Sequence, residues 1–150
     1  MLKVVVFFGV IYVAFRYRNT IREKIEIPNR SKVLPVPVFY KELLNKYFFY
    51  YQKLSPENKY KFEQKLCYFI AEKQFVPRGM PEVSQEMIVL ISAIAVQITF
   101  GLPNVFLSHF KTILVYPSHY FSLITRQYHE GEVNPALGII VLSWEDVAEG

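Results

Sequence analysis

"GIIVLSWEDVAEG", Gly138 to Gly150, is the stretch on which the fold reading turns. Gly138 opens it, and Ile139-Ile140-Val141-Leu142 is a continuous apolar, β-branched-rich run. A short apolar run behind a turn residue reads as a buried strand. Glu145 and Asp146 then read as the first turn of a new element. Working back, "TILVYP" at 112–117 is a second run of this kind. Pro117 stops it, because proline has no N–H to offer a ladder. Nothing between the two runs shows a strong period, and "HEGEVNP" at 129–135 reads as a loop.

Upstream the pattern turns helical. "MIVLISAIAVQITFGL" at 87–102 is apolar on nearly every face, interrupted by Ser92, Gln97 and Thr99. It predicts a helix from about Glu82 to Phe100, ended by Gly101 and Pro103. A bilayer span needs about 20 apolar residues, so this one is read as a central core helix. It needs partners around its whole circumference. "LSPENKYKFEQKLCYFIAEKQF" at 54–75 has a clear start: Ser55 as N-cap, Pro56 at the first helical position, Glu57 at the positive end. Phe62, Leu66, Phe69 and Ile70 form its apolar stripe, with Lys59, Lys61, Glu63, Lys65 and Glu72 largely elsewhere, and the helix should end near Lys73. Cys67 reads as a small buried or half-buried side chain. "VPRGMP" at 76–81 reads as a loop. A further helix is expected from about Phe39 to Leu54, with Tyr40, Leu43, Leu44, Tyr47, Phe48 and Tyr51 at helical spacing. Its aromatic stretch "YFFYY" at 47–51 reads as an anchor into the core or a membrane interface. The class is therefore α+β, mostly helical, with a small sheet built on strands near 112–116 and 138–144.

The amino terminus differs from all this. Val4 to Phe15 is uncharged, and as a helix would span about 18 Å, short of a bilayer core of about 30 Å. A membrane anchor, a cleaved signal peptide and a buried helix compete for it. The small-x-small cleavage pattern is missing, since Ala14 is followed by Phe15-Arg16-Tyr17-Arg18. Residues 1–32 carry seven Lys/Arg against two Asp/Glu, a net of +5, while residues 33–150 carry ten against eleven, a net of −1. Basic residues just after an apolar run stay on the cytoplasmic side and attract anionic lipid. This favours an anchor at 1–17, a basic, proline-containing linker at 18–37 and a domain at 38–150. The expected location is the inner or plasma membrane with the domain in the cytoplasm; a fully cytoplasmic protein is the alternative. Membrane lipid is the expected partner of residues 1–32. Nucleic acid is not expected, because the folded part carries no positive excess.

Local chemistry yields no active site. "HE" at 129–130 invites comparison with H-E-x-x-H, whose two histidines at i and i+4 share one helix face and one zinc. Position 133 is Val133, and Pro135 argues against a helix there. His119, His129, Glu130 and Glu132 read more readily as a solvated loop than as a metal cluster. One cysteine excludes an internal disulfide. Ser143 lacks the flanking glycines of a nucleophile elbow.

Five segments taken in order do carry information. They are "LSPEN" at 54–58, "FIAEKQF" at 69–75, "IVLISAIAVQITFGL" at 88–102, "ILVYPSHYF" at 113–121 and "EGEVNPALGIIVLSWEDVAEG" at 130–150. Together they resemble the MtfA-type zinc-dependent metallopeptidases. The resemblance implies the amino-terminal half of a zincin-like domain. In the family, the "LSW" strand and the next turn lead into a helix bearing H-E-x-x-H and an "LD" pair, with a further acidic zinc ligand later. None of these motifs lies in the 150 residues. The resemblance therefore implies zinc in the full-length parent and assigns no catalytic and no metal-binding residue to this chain, which by itself is expected to be inactive. The implied partner is a peptide or protein substrate, lying along a sheet edge as an added strand. The strand before the zinc helix is the candidate edge: Gly138, Ile139, Ile140, Val141, Leu142, Ser143 and Trp144. An interior strand is the alternative, and Trp144 reads as a core anchor. Two function classes stay open: part of a membrane-tethered zinc peptidase, forming its core and cleft wall, or a non-enzymatic membrane-anchored scaffold derived from that family.

Overall fold

The computed structural model describes residues 33–102, 107–122, 126–129 and 131–149. The expectations for an anchor at 1–17 and for most of the linker lie outside these residues. Among the described residues no helix is long and apolar enough to cross a membrane.

The helix expected over 39–54 is broken. Helix α1 spans Val38–Tyr47 and α2 spans Phe49–Gln52, with Phe48 between them at φ −112° and ψ 86°. The cause lies in the aromatic cluster. Successive residues of a helix turn by about 100°, so side chains at 48, 50 and 51 of one straight helix would point three ways. With the break, Phe48, Tyr50 and Tyr51 all pack on Phe62, at centroid distances of 6.0, 6.1 and 5.7 Å. The "YFFYY" segment is thus largely a core anchor, although Tyr47 and Phe49 remain exposed.

Phe62 belongs to α3, Pro56–Glu72, whose start is as the sequence reads: the Ser55 hydroxyl accepts from the Asn58 N–H at 3.4 Å. Phe62, Leu66, Cys67 and Phe69 are buried. Glu63 departs from expectation. It is only 6% exposed, and it accepts a 2.6 Å hydrogen bond from the Tyr51 hydroxyl and pairs with Lys41 at 3.1 Å. A carboxylate is tolerated there because both partners compensate its lost hydration. Burial, followed by the bond to Glu63, pushes the Tyr51 phenol well above its ordinary range.

Helix α4, Gln85–Thr99, starts where the Ser84 hydroxyl accepts from the Met87 N–H at 3.2 Å. Val89, Ile91, Ser92, Ala93, Val96 and Thr99 are buried, whereas Met87, Leu90, Ile94 and Ile98 are half-buried. The all-round apolar helix is therefore fully covered on one side only among the described residues.

Among the described residues the sheet has four strands in the order β1-β2-β6-β5: β1 Gln74–Pro77, β2 Thr112–Tyr116, β6 Ile139–Ser143 and β5 Gly131–Asn134. β1, β2 and β6 run parallel, with α4 in the crossover from β1 to β2. β5 is antiparallel to β6. A separate antiparallel pair joins β3, Tyr120–Ser122, to β4, Gln127–His129. Helix α5, Trp144–Glu149, follows β6 directly. The two strands expected from sequence are present as the two central strands. The loop reading of 129–135 fails, because it holds β5 and the end of β4; the loop at 76–81 likewise begins inside β1. The fold is α+β with a small mixed sheet, as the sequence implies.

Candidate functional site

β6 is not an edge. It lies between β2 and β5, with Thr112 opposite Ile139 on one side and Asn134 opposite the same residue on the other. The expectation that Gly138–Trp144 offers a free ladder is corrected accordingly: Ile140, Val141 and Ser143 are buried, Ile139, Leu142 and Trp144 half-buried, and Gly138 sits in the turn before the strand. The reason is a hairpin that the sequence reading passed over. "VNPALGII" carries two strand-like ends around a turn containing Pro135 and Gly138. Gly138 has φ +64°, and a Cβ there would lie 2.6 Å from the His109 carbonyl oxygen, so glycine alone fits. The Asn134 side chain accepts from the Leu137 N–H at 3.1 Å and closes the turn.

Among the described residues the sheet's two edges are β1 and β5, and they are built differently. β1 ends in Pro77, which removes a donor from the ladder. β5, "GEVN", carries no proline, and its four residues are half-buried. Among the described residues no strand pairs with its outer side. In an antiparallel pair every second residue turns its N–H and C=O away from its partner, so β5 presents ladder groups outward.

The register decides which side chains flank that edge. Glu132 is opposite Val141, which is opposite Leu114, which is opposite Val76. Neighbours across a ladder share a face, so these four lie on one side of the sheet together with Tyr116. Gly131 and Val133 lie on the other side, with Ile140, Ile113 and Val115. Tyr116 stacks on Tyr120 with centroids 4.6 Å apart. Burial above all, and then the Glu132 carboxylate, push the Tyr120 phenol far above its ordinary range. The start of β3 therefore sits near the Glu132 side of the open edge.

The junction from β6 to α5 is held from β2's end. The Glu145 N–H donates to the Pro117 carbonyl at 3.2 Å, and the Asp146 N–H donates to the fully buried Ser143 hydroxyl at 3.5 Å. The His119 imidazole meets the Asp146 carboxylate, Nε2 to Oδ1, at 3.1 Å. The two backbone contacts satisfy donors that a helix start leaves open, and all three fix the direction in which the chain leaves the sheet.

The described residues do not bring together a ligand set for zinc. Among the described residues no three His, Cys, Asp or Glu side chains are close enough to share a metal. His109 bonds the Pro135 carbonyl and His119 bonds Asp146. Cys67 is buried in the helical layer, and burial pushes its thiol pKa up, against the thiolate a metal requires. The His129 side chain and all of Glu130 lie outside the described residues.

The strand that sequence reasoning missed is β5, whose Glu132 reads from sequence as part of a solvated loop. The available signal was the turn chemistry at Asn134–Gly138, which marks a hairpin ending at Gly131 on its far side. No curated protein and no solved structure matches the chain. A family model described as glucose-regulated metallo-peptidase M90 matches residues 22–150. With the "LSPEN", "VYP" and "LSW" segments at the start of α3, the end of β2 and the junction of β6 with α5, that match covers most of the chain, which belongs to the M90 metallopeptidase family.

Proposed function

We propose that residues 38–150 form the core and one cleft wall of a zincin-like peptidase domain, and that β5 is the wall's working edge. The observation that carries this is the pairing of an open, proline-free antiparallel edge with a β6–α5 junction held on three contacts. A peptide adding to β5 as an extended strand would gain main-chain hydrogen bonds irrespective of sequence, which suits a peptidase. Hydrolysis by zinc-activated water belongs, in this reading, to the family's H-E-x-x-H helix. That motif is in none of residues 1–150, so no described residue is assigned as metal ligand or general base. The chain's own part is to bind and align: β5 supplies ladder groups, Glu132 and Val133 flank the bound strand on opposite faces, and α4's half-buried row of Met87, Leu90, Ile94 and Ile98 offers a surface for a further helix. Residues 1–17 anchor the protein in the inner or plasma membrane, residues 18–32 lie against anionic lipid, and the domain faces the cytoplasm.

The test is to append to Gly150 an M90 family segment that contains H-E-x-x-H and to follow cleavage of a quenched fluorescent peptide. Zinc-dependent cleavage, abolished by a chelator and absent from the 150-residue chain, is the expected result. A folded, zinc-loaded fusion without cleavage would contradict the proposal and return the scaffold reading.

A further inference from the structure

β5 carries one charged side chain, and nothing among the described residues neutralises it. Glu132 is half-buried and makes no ion pair or hydrogen bond with any described residue; Tyr120 is the neighbour that feels its charge. The other residues of the strand are committed or apolar: Asn134 closes the hairpin turn, Val133 lies on the opposite face, and Gly131 has no side chain. A carboxylate with no ion pair among the described residues, at an edge with no described partner strand and with Tyr120 as its neighbour, has the chemistry to meet a cation on an incoming strand. From this, and resting on the edge reading above, we infer that β5 selects extended peptides with a Lys or Arg side chain opposite Glu132 and an apolar residue on either side of it. The alternation follows from the pleat. A side chain beside Glu132 lies on the Tyr116 face, and its two neighbours on the peptide fall on the Val133 face.

The chain's overall charge makes this testable, since +4 would by itself favour an acidic peptide. The probes are fluorescent Thr-Val-X-Val-Thr peptides with blocked ends and X as Lys, Ala or Glu. They are titrated by anisotropy against the full 150-residue chain in nonionic detergent, with backbone amide shifts followed in parallel. Lys should bind about fivefold tighter than Glu, with Ala between, and the shifts should centre on Gly131–Asn134. Glu132→Gln should flatten the series and Glu132→Lys should reverse it. Shifts at β5 with equal affinity for all three peptides would overturn the charge inference and leave the edge reading standing. A Lys preference that survives Glu132→Lys would overturn it too. Peptides that shift other amides, or none, would overturn both.

Discussion

The two edges of this sheet come from one chain and one ladder, yet they are finished in opposite ways. β1 follows α3 with only Lys73 between them, runs parallel to its neighbour, and ends in Pro77. β5 hangs on a hairpin, runs antiparallel, and alternates glycine, carboxylate, valine and amide. Proteins blunt edges with proline or with charge, but the two devices differ in consequence. Proline deletes a donor and so weakens pairing with every partner alike. A charge refuses like charge and still admits a strand with the opposite one. The comparison sets an edge blunted by proline against an edge that carries a charge.

Three perturbations should break or sharpen that contrast. Ile113 is almost fully buried in β2, which joins the β1 side of the sheet to the β6–β5 hairpin. Ile113→Ala should cost about 3 kcal/mol in denaturant unfolding and loosen both edges together. Gly138→Ala should act on one side only. It forces a Cβ against the His109 carbonyl at a positive φ, and should cost about 2 kcal/mol. Amide exchange should speed up in β5 while β1 keeps its protection; equal loss in both strands would show that the edges are not independent.

The smallest effect concerns the edge blunted by proline and pH. Lys73, 8% exposed, donates to the Leu107 carbonyl at 2.9 Å, and burial lowers its pKa to about 8 from 10.5. The folded chain therefore gives up this proton at a lower pH than the unfolded chain does. Between about pH 8 and 10.5 the unfolded state holds more protons, so stability should rise with pH across that window. Below about pH 8 the full cost of the buried charge is present. A gain of about 1–2 kcal/mol is expected, allowing for partial solvation, and Lys73→Met should abolish it. Cys67 acts with the opposite sign, since burial raises its thiol pKa, but it is common to both proteins and cancels in the difference. Urea midpoints from pH 7 to 10 give the comparison.

Much of the closed part of the molecule is legible in the sequence, because its signals are local. Ser55 and Pro56 start α3, Glu72 ends it beside the expected Lys73, and β2 occupies the apolar run before Pro117. The two central strands are the two apolar runs because a strand covered on both sides needs apolar side chains on both faces. The open part was less legible. β3 and β4 have three residues each and β1 and β5 four, too short to display a period. The break at Phe48 follows from three rings converging on Phe62, a contact made across a turn. Whether β6 is an edge is a matter of what pairs with it, and strand pairing is not written in the strand. Glu63 looked like a solvated charge for the same reason: its partners Tyr51 and Lys41 lie on other helices.

That β5 is the edge that admits a strand is the central claim. Hydrogen–deuterium exchange of the full chain, with and without a saturating Thr-Val-Lys-Val-Thr peptide, addresses this at the two edges at once. The outward-facing amides of Gly131–Asn134 should slow at least tenfold on peptide addition, while those of Gln74–Val76 keep their free rates. Slowing in β1, or in neither strand, would contradict the account.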